Sequence, residues 1–149
     1  MMVAESLSIL AAGIFFLTGL LTGIWKYQQI MYSEKGEAHP YVDICHRTSL
    51  LYSFAAILLA KFVEISQLDS NIELIATGVV LFYFGFAIFT YFVHGVLQDT
   101  DNQLKKPFTL GSFQLPKAII SLSMWSLILA EVSGFLVLFY GVLIALKWH

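Results

Sequence analysis

The chain has 149 residues, of which 58% are hydrophobic and only 12% are charged, and its mean hydropathy is +0.79. Because about a quarter of the residues of a soluble domain are charged, this composition excludes an ordinary soluble protein. It predicts an integral membrane protein whose first partner is the lipid bilayer. The formal net charge of -2 leaves no basic excess for nucleic acid, and a single cysteine, Cys45, excludes an internal disulfide and a cysteine-based zinc site.

Four apolar stretches are long enough to cross about 30 Å of hydrocarbon at about 1.5 Å per residue. They cover residues 7–25, 48–65, 72–96 and 118–146. The first stretch has an acidic flank and no small-residue cleavage pattern, so we interpret it as a retained span and not as a signal peptide. The sequence therefore predicts an all-α fold, a single integral membrane four-helix bundle over residues 1–149.

Positive charges are distributed unevenly between the two ends of this bundle. Six of the eight Lys and Arg residues flank the two long connections, and two lie toward the opposite end: Lys26, Lys35, Arg47, Lys105, Lys106 and Lys117 against Lys61 and Lys147. Cytoplasmic loops carry the excess of Lys and Arg in membrane proteins. We therefore expect both long connections in the cytoplasm and both termini on the outer side of a bacterial inner membrane.

A polar stripe opens the second span. At about 100° per residue, a helix places Asp43, His46 and Arg47 on one side, and Lys61 and Glu64 follow on the same side. An ionisable group in hydrocarbon costs several kcal/mol. We therefore expect this stripe to face other helices or a wet cavity.

Histidines and carboxylates also meet at the end of the third span. His94 lies near its inner boundary and precedes the loop Asp99-Thr100-Asp101-Asn102-Gln103, while His39 lies just before the second span. We predict a polar ligand or catalytic site at this end, formed by Asp43, His46, Arg47, His94 and Asp99. In a catalytic version, His46 or His94 transfers a proton, a carboxylate fixes its tautomer, and Arg47 stabilises developing negative charge.

The same side chains fit two cofactors and one simpler interpretation. Neutral imidazoles and carboxylates bind divalent metals, and the candidate metal ligands are His39, His46, His94 and Asp101. His46 and His94 on adjacent helices could instead ligate both axial positions of haem b. In the simpler interpretation, the histidines only form hydrogen bonds at the membrane interface.

Glu131 is an isolated charge near the middle of the fourth span. Lys61 lies at a comparable depth, about 20 Å from the inner end at about 1.5 Å per residue. We therefore predict a Lys61–Glu131 pair, with Glu64 and the hydroxyl of Tyr83 nearby. Such a pair either locks the helix register or forms part of a proton-binding site or cavity wall.

Two resemblances follow from these motifs. A first span ending in Leu20-Leu21-Thr22-Gly23, a histidine opening the second span, a polar loop after the third and a Leu/Phe/Gly-rich final span resemble the small four-helix hydroxylaminobenzene mutase family. The Asp-x-x-His-Arg opening of the second helix and the loop after the third resemble uncharacterised bacterial inner-membrane proteins. The mutase resemblance implies an isomerase-like rearrangement of a small aromatic hydroxylamine.

Three functions fit the sequence. The first is binding or isomerase-like conversion of a small hydrophobic or aromatic ligand at the His/Asp/Arg site. The second is haem- or quinone-linked electron transfer. In the third, the small-residue helix faces dock in a homo-oligomer or a larger membrane complex as an accessory subunit.

The charge distribution generates a test of orientation. A cysteine introduced within residues 34–37 is expected to be shielded from a membrane-impermeant thiol reagent in intact cells, because that connection lies in the cytoplasm. Labelling equal to that of a cysteine placed near a terminus would overturn the orientation.

Overall fold

The computed structural model describes residues 2–147, which form four long helices and a short β-hairpin. The elements are α1 (Val3–Tyr32), α2 (Pro40–Ile65), α3 (Ser70–Leu97), β1 (Thr109–Leu110), β2 (Phe113–Gln114) and α4 (Lys117–Ala145). All four helices are long and apolar enough to cross a membrane. The predicted all-α membrane four-helix bundle is thus confirmed, while the placement of both termini on the outer side stays a prediction.

The first two helices are longer than the apolar stretches from which they were predicted. Helix α1 continues to Tyr32 and α2 begins at Pro40, so that the first connection spans only residues 33–39. Proline suits the first helical position because its missing N–H needs no partner there. Just before it, Nδ1 of His39 accepts the Tyr41 N–H at 3.3 Å. The helices therefore include polar residues at their ends, which a search for apolar stretches does not detect.

Glycines bring the helices into close contact. Helix α1 packs against α2 and α3, and α4 packs against α3 and α2. On α1, Gly19 lies against Leu50 and Gly23 lies against the ring of His46. On α4, a Cβ added at Gly134 would lie 2.6 Å from Cγ2 of Val80 and 2.9 Å from the carbonyl oxygen of Ala76. The backbones of α3 and α4 thus approach closely at this point.

The two halves of α4 are buried to different extents. Its buried residues are Gly134, Leu138, Gly141 and Val142, all in the second half of the helix. The first half instead borders a cavity beside α3, beneath the connection of residues 98–116. The fourth helix is therefore anchored at one end and leaves space at the other.

The β-hairpin in that connection was not predicted. Thr109 pairs with Gln114 and Leu110 pairs with Phe113, around a turn in which Gly111 has a φ of +59°. Strands of two residues are too short to show an alternating pattern, so glycine in the turn is the only local signal.

The α3–α4 contact generates a stability prediction. Gly134→Ala should lower the thermal stability in detergent by about 1–3 kcal/mol, because the added methyl group has no space beside Val80 and the Ala76 carbonyl. Gly78→Ala is the matched control, since a Cβ there meets nothing within 4 Å. The prediction fails if the two variants melt at the same temperature.

Candidate functional site

His94 and Asp99 form a buried hydrogen-bonded pair at the end of α3. Nδ1 of His94 lies 2.8 Å from Oδ1 of Asp99, and the two side chains are only 8% and 6% exposed. Helix α3 ends at Leu97, and Gln98 adopts a left-handed conformation with a φ of 48°. This reversal of the chain folds Asp99 back onto the last turn of the helix.

The hairpin is tied to the same carboxylate. The Gly111 N–H donates to Oδ2 of Asp99 at 2.5 Å, and the Thr109 hydroxyl donates to the Asp99 carbonyl at 3.3 Å. Both oxygens of the Asp99 carboxylate therefore have a donor, one from α3 and one from the hairpin.

These contacts determine the charge of Asp99 and the tautomer of His94. Burial raises the pKa of Asp99, but the hydrogen bonds from His94 and from the Gly111 N–H outweigh it, so that the pKa is lowered. An ionised carboxylate only accepts hydrogen bonds. Nδ1 of His94 therefore carries a hydrogen, so in the neutral form of the ring the lone pair lies on Nε2.

Aromatic and loop contacts surround the pair. The ring centroid of Tyr41 lies 5.0 Å from that of His94 and 6.0 Å from that of Tyr91. The Tyr41 hydroxyl accepts the Gln103 N–H at 2.5 Å, and Nε2 of His39 lies 3.8 Å from Oδ1 of Asp101. The structure thus brings the two polar connections together at one end of the bundle.

His94 also borders an apolar cavity of about 370 Å³ between α3 and α4. Most of the wall is aliphatic or aromatic, and its polar side chains include Thr90, Gln103 and Ser123. The site therefore combines an imidazole of defined tautomer with space for a small apolar molecule.

The predicted five-residue site is divided in the structure. Asp43 binds Nζ of Lys26 through Oδ1 and Nη2 of Arg47 through Oδ2, each at 2.6 Å. Nδ1 of His46 donates to the Gly19 carbonyl at 2.7 Å. Within the α2 stripe, Asp43 and His46 thus bond to α1 through Lys26 and a backbone carbonyl, whereas the other stripe residues, Arg47, Lys61 and Glu64, are more than half exposed. His94 instead bonds to Asp99.

The same division separates the predicted metal and haem ligands. Among residues 2–147, no group of three His, Cys, Asp or Glu side chains is placed to hold a metal ion. Of the four predicted metal ligands, His39 lies near Asp101, while His46 and His94 each bind elsewhere. His46 does not line the cavity that His94 borders, and haem binding by these two histidines stays a prediction.

The predicted Lys61–Glu131 pair is replaced by a different one. Nζ of Lys61 lies 2.9 and 3.0 Å from the two carboxylate oxygens of Glu64, one turn along its own helix. Both side chains are more than half exposed, whereas Oε1 of Glu131 is buried with no hydrogen-bond partner in the described part of the chain. The prediction was wrong because it considered only depth in the membrane: Lys61 faces outward from the bundle, whereas Glu131 does not.

Sequence reasoning also missed one buried carboxylate. Glu73, in the first turn of α3, is only 1% exposed, and within residues 2–147 neither of its carboxylate oxygens has a hydrogen-bond partner. The hydroxyl of Thr77, one turn further, is likewise buried and unpartnered there. The only hint in the sequence was an acidic residue at the start of an apolar span. The N-terminus of a helix favours a negative charge at this position.

The fold and the site define a small multi-pass membrane protein with a His–Asp pair beside an apolar cavity. The chain matches no protein-family model, and neither the curated proteins nor the solved structures include a significantly similar one.

The Asp99 carboxylate generates a pH prediction. Because its pKa is lower in the folded protein than the ordinary 3.8, it stabilises the fold fully above that value, and the stabilisation disappears as the pH falls through the folded pKa. Asp99→Asn should cost about 1–3 kcal/mol at pH 7, and its melting temperature should approach that of the wild type in acid.

Asp101→Asn provides the control, because that side chain is 85% exposed and its replacement should change stability by less than about 0.5 kcal/mol. A constant loss for Asp99→Asn at every pH would contradict the ionised pair.

Proposed function

We propose that this protein binds a small, largely apolar or aromatic molecule between α3 and α4, and that His94 exchanges a proton with it. The observation that carries the proposal is the position of His94, which is held by the buried Asp99 carboxylate at 2.8 Å and borders the cavity. The chain would act in a bacterial inner membrane, with this end in the cytoplasm.

The carboxylate prepares His94 for proton transfer. It accepts the hydrogen of Nδ1, which leaves Nε2 as the basic nitrogen, and it stabilises the imidazolium that forms when Nε2 takes up a proton. The substrate must therefore carry an acidic hydrogen, such as that of a phenolic or hydroxylamine hydroxyl.

The cavity supports a small ligand drawn from the bilayer. Its volume of about 370 Å³ lies within the range of about 300–1,000 Å³ that is typical of small-molecule sites. Two of its walls are the membrane spans α3 and α4, and rings such as Tyr52, Phe86 and Tyr91 line it. An aromatic molecule dissolved in lipid could thus bury its ring there and present a polar group to His94.

One base beside one cavity supports an isomerase-like reaction. His94 removes a proton from one atom of the substrate and returns it to another, so the composition of the substrate is unchanged. Neither an oxidant nor a second substrate is required.

A fluorescent phenol tests binding and proton transfer separately. 2-Naphthol emits at different wavelengths as the neutral phenol and as the naphtholate. We expect the wild-type protein in detergent to bind it and to give naphtholate emission after the signal of unbound dye is subtracted. His94→Gln should retain binding but lose naphtholate emission, because glutamine is not a base. Ser123→Phe should weaken binding about tenfold, or 1.4 kcal/mol, because the ring fills the cavity.

Ser121→Phe is the matched control, since Ser121 is exposed two residues away and does not line the cavity. The proposal is wrong if 2-naphthol does not bind, or if His94→Gln leaves the naphtholate emission unchanged.

A further inference from the structure

A second crevice opens among α2, α3 and α4, away from the His94–Asp99 pair. Its volume is about 340 Å³, and apart from Glu131 it is lined by apolar side chains, including Leu58, Val80, Phe84 and Phe135. Its lining shares no residue with that of the cavity beside His94. The crevice is therefore a separate space with a single acidic group.

Glu131 has no counter-charge within the described residues. Its Oε1 is buried without a hydrogen-bond partner, and Lys61, the cation at a comparable depth, is bound by Glu64. A carboxylate in hydrocarbon must acquire a proton or a cation, because its desolvation is too costly otherwise. Since residues 2–147 supply no cation, one from outside the chain would complete the site.

The walls of the crevice favour an organic cation over a metal ion. Glu131 contributes the only carboxylate of the lining, whereas Ca²⁺ requires about six to eight oxygen ligands and Mg²⁺ about six. Phe84 and Phe135 instead present aromatic rings, which attract ammonium groups through their π faces and bury apolar substituents. The ring of Phe84 is held in place by stacking on Tyr52 at a centroid distance of 4.0 Å.

We propose that this crevice binds a lipophilic organic cation, with the ammonium group against the Glu131 carboxylate and the apolar substituents against Phe84 and Phe135. The cation reaches the crevice from the bilayer and supplies the charge that the helices lack. This site is independent of the proton transfer proposed for His94.

Benzyltrimethylammonium and its uncharged carbon analogue, neopentylbenzene, test the proposal, because they have the same shape and differ in charge. Binding is measured by isothermal titration calorimetry of the full chain in detergent, corrected for empty micelles. We expect the cation to bind the wild type at least about tenfold more tightly than the analogue. Glu131→Gln should remove this difference, and Ala55→Phe, which fills the crevice while keeping Glu131, should weaken binding about tenfold or more.

Two control variants locate the effect. Glu64→Gln removes an exposed carboxylate on α2, and His94→Gln changes the other site; both should bind benzyltrimethylammonium like the wild type. Failure of the cation to bind the wild type, or equal binding by Glu131→Gln, would overturn the proposal. So would equal affinity for neopentylbenzene, which would show that Glu131 carries only a proton.

Discussion

The Asp99 carboxylate is the interaction on which the candidate site depends. One oxygen accepts the His94 ring N–H and the other accepts the Gly111 backbone N–H, so a single side chain joins the last turn of α3 to the hairpin. A buried carboxylate is stable only when its lone pairs have donors. The hairpin thus supplies a hydrogen bond that the helix cannot. Its residues Thr109 and Leu110 also line the cavity that His94 borders.

The ionisable groups of the helices include two contrasting kinds. In the first kind, each charge has an opposite charge on its own helix or on a neighbouring one. Asp43 is neutralised by Lys26 and Arg47, and Lys61 is neutralised by Glu64. Glu73 and Glu131 have buried carboxylate oxygens without hydrogen-bond partners in residues 2–147. Because an unpaired charge is costly inside a membrane, Glu73 and Glu131 each need a proton or an external cation. Of the two, Glu131 lines the crevice among α2, α3 and α4, which gives it a route to such a ligand.

The packing of α4 explains why both open spaces lie along this helix. Gly134 allows contact with Ala76 and Val80, and Gly141 allows contact with Ser66 and Leu68, so that the second half of the helix is held close to α3 and to the α2–α3 connection. The first half has no buried residue and forms one wall of the cavity beside His94. The crevice at Glu131 begins where close packing begins. A helix that is anchored at one end leaves room for small molecules without opening the rest of the bundle.

Much of the architecture was determined by the sequence itself. Four apolar stretches predicted the four spans because hydropathy is a local property, and the clustering of His39, His94, Asp99 and Asp101 at one end followed from span order alone. The partners were decided only by the tertiary structure. Depth along a helix can be counted at about 1.5 Å per residue, but the rotation of each helix about its axis depends on its neighbours. That rotation turned Asp43 and His46 toward α1, left Lys61 and Glu64 exposed and paired with each other, and left Glu131 lining a crevice. The Asp99–Gly111 contact depends likewise on a hairpin too short to have a sequence pattern, so only the folded chain could show it.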